Sequence, residues 1–374
     1  MANTFTAVVD KIFSEGLLAL REAAQTPRLI NTNWGTEVAQ QGDTIDVPLP
    51  GAMTVGNVAP AQVPIAGQDI TRTTVQIALD QWKQTETHMT DKEAGEVASG
   101  NMPFDRSQAS EAIKALGNNI DAAVLALGAD AYGYTGTAAT APFASDLSDA
   151  RAARRILSDQ LAPESPRHFV GDPTAIESAL GNRAIQDASF RAANQDTLVT
   201  GEIGNVLGFA WHENQNVPLH TNTGTGTVVV NDASTAIGDT TITWDGGGTA
   251  PAAGDVFTVA GDTQTYVVVS STATVITMLP TLQVAAVDNA AITFKATHRN
   301  NLAFHRDAFA LAIRPATPAG GFSGGNIIRS DTDPNTGVSL TLEISRQHHR
   351  NAWTWSVLYG VKTIRRELAM RVAG

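Results

Sequence analysis

The chain has 374 residues, 43% hydrophobic and 17% charged, a globular composition long enough for two or three domains and unlike a disordered tail or a fibre repeat. It contains no cysteine, which excludes a disulfide framework, a thiolate zinc site, an iron–sulfur cluster and a cysteine nucleophile. Twenty-five Lys and Arg stand against 37 Asp and Glu, a formal charge of -12, the wrong sign for a protein whose main partner is a phosphate backbone. The first residues place Asp10 ahead of Lys11 and show no apolar block leading to a small-residue cleavage site, so they do not read as a signal peptide. No run of about 18 apolar residues occurs, and a soluble protein made in the cytoplasm is expected. Abundant Gly with only 6% aromatics points to extensive β-structure and loops around a modest core.

Between residues 4 and 25, Val9, Ile12, Phe13, Leu17, Leu20 and Ala24 recur at helical spacing, with Asp10, Lys11, Glu15, Arg21 and Glu22 off that stripe. This pattern predicts an amphipathic helix that Pro27 ends. Two alternating segments follow, 44–50 and 70–82, the second aligning Val75, Ile77 and Leu79 on one strand face. The Gly- and Pro-rich span between them, Gly51 to Gln68, reads as a long arm. From Asp105 to Tyr132 the spacing of Ile113, Leu116, Ile120, Val124, Leu127 and Ala131 predicts a long helix with a narrow apolar seam. Asp105 and Gln108 form its capping box, and at about 1.5 Å per residue it would run roughly 40 Å. Further helices are predicted at 147–161 and after Asp172-Pro173.

Composition shifts between 222 and 297, where six Asp face Lys295 as the only base. TVVV, TTITW, DVFTVA, TQTYVVVSS, TVITMLP and AITFKA read as six short strands of a small barrel or sandwich, set into the chain as an inserted domain. Beyond it the charge inverts, with ten Lys and Arg against five acidic residues in 299–374. That region ends in two alternating strands, SLTLEISRQ and WTWSVLYGVKTI.

Chemical motifs are sparse. GFSGG at 321–325 matches the nucleophile elbow in letters, with Ser323 as nucleophile, but the strand before and helix after that the elbow needs are missing. Asp331, Asp333 and Asn335 open like a calcium loop, yet the glycine is one place late and no glutamate closes it. His348 and His349 are adjacent, and on a strand would point to opposite faces. His212 and His220 stand eight residues apart with no acidic ligand pattern between them beyond Glu213. No phosphate-cradling or zincin signature is present. Arg346, Arg350, Lys362, Arg365, Arg366 and Arg371, interleaved with Trp353, Trp355 and Tyr359, could face nucleic acid or an acidic neighbouring subunit. No cofactor, metal or catalytic residue is assigned.

The element order resembles the major capsid proteins of tailed phages with the Hong Kong 97-type fold, and most closely the P-twenty-two-type coat family. The stretch LLALREAAQTPRLINTNWGTEVAQQGDTIDVPLP is similar to that family's N-arm running into its extended loop, notably Pro27-Arg28-Leu29 and Gly42-Asp43-Thr44. IGNVLGFAWHENQNVPLHT (203–221) resembles the segment entering the family's insertion domain, and GDVFTVAG and TYVVVSS resemble strands of that insertion. NLAFHRDAFALAIRP (301–315) and VLYGVKTIRRELAMRV (357–372) resemble the endings of such proteins. The resemblance implies an α+β subunit with these parts in order: an N-arm at 1–35, an extended hairpin loop at 36–85, and a peripheral domain at 86–149 with its spine helix at 105–132. The axial domain would take 150–221 and 299–335, the inserted β domain 222–297, and a C-terminal segment at 336–374 would return to the peripheral domain.

It implies further a structural protein of the virion, assembled in the host cytoplasm into hexamers and pentamers around double-stranded DNA held without sequence-specific binding. A scaffolding protein, a portal protein and possible decoration proteins would be its partners, with no membrane. Asp10, Glu15 and Glu22 are the expected acceptors for a basic scaffold segment. Some relatives crosslink through a lysine on the extended loop, but no lysine lies between Lys11 and Lys83, so an uncrosslinked shell is expected. The acidic total suits a container whose wall does not bind its genome tightly. An encapsulin-like compartment would share the fold. An exported adhesin or tail component would explain only 222–297, and a serine hydrolase would rest on Ser323 alone.

Overall fold

The computed structural model describes residues 20, 24–32, 44–51, 53, 55, 72–93, 106–186, 201–232, 235–315, 326–332 and 337–374. A 3-10 turn over Thr26–Arg28 precedes strands β1 (Thr44–Pro50), β2 (Arg72–Ala78) and β3 (Gln81–Thr90). Helix α1 (Arg106–Ala126) tightens into a 3-10 turn at Leu127–Asp130, and β4 (Gly133–Gly136), α2 (Ser148–Asp159), β5 (Arg167–Gly171) and α3 (Pro173–Leu180) follow. Next come β6 (Asn205–Val206), β7 (Phe209–Glu213) and β8 (Leu219–His220). Six short strands succeed them, β9 (Val228–Val230), β10 (Thr241–Gly246), β11 (Val256–Val259), β12 (Tyr266–Ser271), β13 (Val275–Leu279) and β14 (Ala291–Phe294). The chain closes with β15 (His298–His305), β16 (Phe309–Arg314), β17 (Ile327–Thr332), β18 (Ser339–Gln347), β19 (Arg350–Thr363) and β20 (Ala369–Ala373). The result is a mixed helix and sheet protein dominated by strands. It divides into two compact units, Met1–Asn31 with Pro103–Ala310 and Thr363–Gly374, and Thr32–Met102 with Leu311–Lys362.

In the first unit, a seven-stranded sheet runs in the order β4-β20-β15-β5-β7-β6, with β8 pairing to β15. Period-two alternation on β5 and β7 puts Phe169 and Trp211 on one face, their ring centroids 4.5 Å apart and both packed on Phe143. The opposite face carries His168 and His212. Helix α2 buries Ala150, Ala153 and Leu157, one side of its helical repeat. Helix α3 begins as its sequence predicts: Asp172 accepts a hydrogen bond from the Ala175 N–H at 3.1 Å, with Pro173 in the first turn.

The spine helix is shorter and broader-faced than its spacing predicts. Its 21 residues span roughly 30 Å at about 1.5 Å each, because the chain narrows to 3-10 geometry at Leu127. There Gly128 lies where a Cβ would collide with Leu302 of β15. Ile113, Leu116, Ile120 and Val124 are buried as the seam requires, whereas Leu127 is only half-buried. Gly117, Asp121 and Leu125 are buried as well, so the helix sits in the unit on a wide face. Of the helix predicted over 4–25, the structure describes Leu20, which is helical and buried, Ala24, which is buried, and the exposed Gln25. The capping box at Asp105 lies outside the described residues.

All six predicted strands of the 222–297 region form, and they close into a barrel in the order β10-β13-β12-β11-β14-β9. Alternation supplies its interior: Val228 and Val230, Ile242 and Trp244, Phe257 and Val259, Tyr266 and Val268, Ile276 and Met278, and Ile292 form one buried cluster. Each such side chain contributes about 1.5–3 kcal/mol on burial, and closure leaves no free strand edge.

In the second unit, β1 and β2 pair antiparallel from Thr44↔Ala78 to Pro50↔Arg72. Ile45, Val47 and Ile77 are buried, while Gln76 donates to Asp46 on the outer side at 2.9 Å. The segment predicted as one strand over 70–82 is in fact two. It breaks at Leu79-Asp80, and β3 then pairs with β19 from Gln81↔Tyr359 to Thr90↔Arg350. Gly360 of β19 lies where a Cβ would collide with the Ala78 carbonyl oxygen, so the backbones approach closely at this break. Strands β16, β19, β18 and β17 complete the five-stranded sheet with β3. His348 and His349 form the turn between β18 and β19, not a strand; their rings lie 4.2 Å apart, with His349 at φ +53.

Candidate assembly surfaces

Helix α1 carries a buried carboxylate that no apolar periodicity could announce. Asp121 is 1% exposed. It accepts hydrogen bonds from the backbone N–H of Gln25 (3.2 Å) and Thr26 (3.1 Å), the Thr26 hydroxyl (2.6 Å) and the Asn214 amide (2.8 Å). Four donors and no acceptor suit the ionised form, while burial pushes its carboxyl up against their pull. The residue pins the 25–26 segment and the loop after β7 to the spine.

A second polar junction forms the root of the barrel. Asp255, fully buried, accepts from the Thr223 N–H (3.2 Å) and hydroxyl (2.7 Å), the Gly224 N–H (3.1 Å), the Ala252 N–H (2.9 Å) and His220 Nε2 (3.0 Å). Burial pushes its carboxyl up, but these bonds outweigh it and hold the group at about 2. Arg371 of β20 is also fully buried and donates to three carbonyl oxygens, those of Ala131 (2.9 Å), Gly254 (2.8 Å) and Ala129. It thereby ties the end of the spine to the barrel's 252–255 turn. Burial lowers its guanidinium to about 10, with Asp130 and Asp255 opposing. His298, 1% exposed, is held neutral at about 4, chiefly by burial, against the opposing bond of its Nδ1 to the Ala296 carbonyl (2.8 Å).

The basic C-terminal stretch is therefore not one continuous surface. Arg371, Trp355 and Tyr359 are buried, Arg346 pairs with Asp91 at 2.9 Å, and Arg366 approaches Asp130 at 3.9 Å. Strand alternation turns Trp355 and Tyr359 inward while Arg346 and Lys362 stay exposed, so these cations and aromatics do not form one row. His212 stands beside His168, their rings 5.5 Å apart, and His220 belongs to the barrel root. Asp331 lies in β17 and accepts from the Thr332 N–H. Asp10, Glu15, Glu22, Ser323, Asp333 and Asn335 lie outside the described residues. Among the described residues no three His, Asp or Glu group into a metal site, and no helix is long and apolar enough to cross a membrane. Large apolar side chains are exposed instead: Met53 and Val55 after β1, Trp82 on β3, Leu161 after α2, and Ile237, Val284 and Val287 on the barrel.

No protein-family model matches the sequence, and no curated protein matches it. Solved structures do. A structure from Mycobacterium phage Che8 is similar at TM-score 0.51 and 14% identity, over 92% of this chain and 89% of that one. The asymmetric unit of the bacteriophage PhiM1 mature capsid matches at TM-score 0.48 and 13% identity, over 92% and 87%. A virus-like particle from Pyrococcus furiosus matches at TM-score 0.46 and 9% identity, over 97% and 98%. The chain shares the fold of the Che8 phage structure over nearly its whole length.

Proposed function

We propose that the chain is the major capsid protein of a tailed phage, with the Hong Kong 97-type fold, self-assembling as hexamers and pentamers into an icosahedral shell around double-stranded DNA. The observation that carries this reading is the phage fold spanning 92% of the chain, with the arm, long helix and six-stranded barrel in the order of the coat-protein resemblance. Residues 1–35 are the N-arm, 36–85 the extended loop, 86–149 the peripheral domain, 150–221 and 299–335 the axial domain, 222–297 the insertion, and 336–374 the return to the periphery. The function is assembly, and no catalytic step is assigned. Subunits with projecting parts overlap several neighbours, so weak contacts sum through multivalency. Asp10, Glu15 and Glu22 receive a basic segment of a scaffolding protein, and reversing their charge abolishes scaffold-dependent assembly. A portal protein occupies one vertex, and decoration proteins are possible further partners. The shell belongs to the virion and is built in the host cytoplasm.

With no lysine between Lys11 and Lys83, the shell is held non-covalently; boiled in detergent, it gives one band at 39.3 kDa and no ladder. The deciding experiment is sedimentation velocity with negative-stain microscopy, on the protein alone and with a candidate scaffold. Closed particles are expected. A persistent monomer or dimer under both conditions removes the reading.

A further inference from the structure

Strands β5 and β7 are parallel, with His168 beside Ala210 and Val170 beside His212, so the two histidines lie diagonally on one face of the sheet. Their rings are 5.5 Å apart, and the Phe304 ring of β15 lies 6.0 Å from His168. His168 Nδ1 and His212 Nε2 are buried and have no hydrogen-bond partner among the described residues. A cavity of about 630 Å3 lies beside His212, with Gln25, Arg28 and Leu29 of the N-terminal segment, and Glu202 and Glu213, among its other walls. The 25–31 segment thus reaches this face, and polar bonds hold it at both ends. Gln25 and Thr26 donate through their N–H groups to Asp121 of α1. At the other end Arg306 Nε donates to the Ile30 carbonyl at 3.4 Å, and Asn31 donates to the Phe309 carbonyl (3.4 Å) and the Asp307 carboxylate (3.1 Å).

Neutral imidazoles suit this place and charged ones do not. Burial, then His212, His305 and Arg306, holds His168 at about 4, and burial lowers His212 as well. Protonating both rings sets two like charges side by side, with His305 and Arg306 at the end of β15 and Arg28 on the segment adding to them. The carboxylates nearby are spent or solvated: Asp307 accepts from Asn31 and lies 3.7 Å from His305, while Glu202 and Glu213 are exposed. Relief comes from hydrating the rings, which requires the cavity to widen. Of its walls, β7 is fixed in the sheet, whereas the 25–29 wall continues into Ile30 and Asn31, which are bonded to the 306–309 region beside the charged rings. We propose that His168 and His212 form a proton-operated clasp: neutral, they let the 25–31 segment rest on the sheet, and charged, they release it. The clasp is a property of the single chain and does not depend on the shell reading.

The test is hydrogen exchange of the full chain at pH 7 and pH 4.5, expressed as protection factors, for the wild type and for His168→Gln/His212→Gln. With His168 at about 4 in place and 6.5 once released, linkage raises the opening equilibrium about fiftyfold between the two pH values. The bonded amides of Thr26, Leu29 and Asn31 should lose protection on that scale, and those of Trp244 and Met278 in the barrel far less. The double variant should keep its protection at 26–31. Protonation of Asp121, whose carboxyl burial pushes up, would also loosen Gln25 and Thr26, but it is untouched in the variant. An equal acid loss in wild type and variant therefore overturns the clasp, as does a wild type that keeps full protection at pH 4.5, or one that loses it equally in the barrel. Circular dichroism at pH 7 checks the fold. If the double variant does not fold, the single variants His168→Gln and His212→Gln decide: each should show a reduced acid response, and the full wild-type response in either overturns the clasp.

Discussion

Asp255→Asn tests the barrel root most directly. The wild-type carboxyl titrates at about 2 instead of 3.8, because the donors on Thr223, Gly224, Ala252 and His220 hold its charged form. At roughly 1.4 kcal/mol per pH unit, that depression stabilises the folded state by roughly 2 kcal/mol at neutral pH. A folded value below the unfolded one fixes the sign: the contribution is present in full above about pH 4 and lost as pH falls through about 2. Asparagine keeps the shape and, with its oxygen at the Oδ2 position, still accepts the bonds from Thr223, Gly224 and Ala252, but has no charge. The variant should therefore be less stable by about 2 kcal/mol at pH 7 and insensitive to this titration. Urea unfolding followed by hydrogen exchange of the barrel amides, from pH 7 to pH 2, provides the assay, and the loss should appear first near 223–224 and 252–255. Parallel curves for wild type and variant between pH 4 and 2 would refute the reasoning, as would equal stability at pH 7.

Gly360→Ala puts a Cβ against the Ala78 carbonyl and should cost about 1–3 kcal/mol by overpacking, read as a lowered urea midpoint. Ile120→Ala, at a fully buried spine position, should cost about 2–5 kcal/mol. Leu127→Ala, half-buried, should cost clearly less, and thermal melts compare the two. Burial first, then His212, His305 and Arg306, holds His168 at about 4 instead of 6.5. Stability is therefore lost as pH falls from about 6.5 towards 4, and His168→Gln should flatten that part of the pH–stability curve.

Local signals carried a large part of the architecture. The six barrel strands, α2, and α3 with its Asp172 cap are short-range patterns of alternation, helical spacing and capping, and they form where those patterns lie. Three features depended on distant residues. Leu79-Asp80 breaks a continuous alternating run because β3 finds its partner in β19, some 270 residues away. The 3-10 end of the spine reflects the fit of Gly128 against β15, and the breadth of the helix face reflects what packs on Leu125 and Asp121.

Functional polar residues were the least legible. Arg371 reads in the sequence as one more cation of a basic tail, yet it is the buried tie between spine and barrel, with partners 117 and 240 residues away. Asp255 looks like any of six turn aspartates until Thr223, Gly224 and His220 are brought round it. The sequence by itself determined the strand-rich class, the barrel's strand content and the absence of cysteine, because composition and local periodicity are properties of neighbouring residues. Only the tertiary structure decided which charges are buried and which aliphatics are left outside, since burial is a property of what the rest of the chain places around a residue.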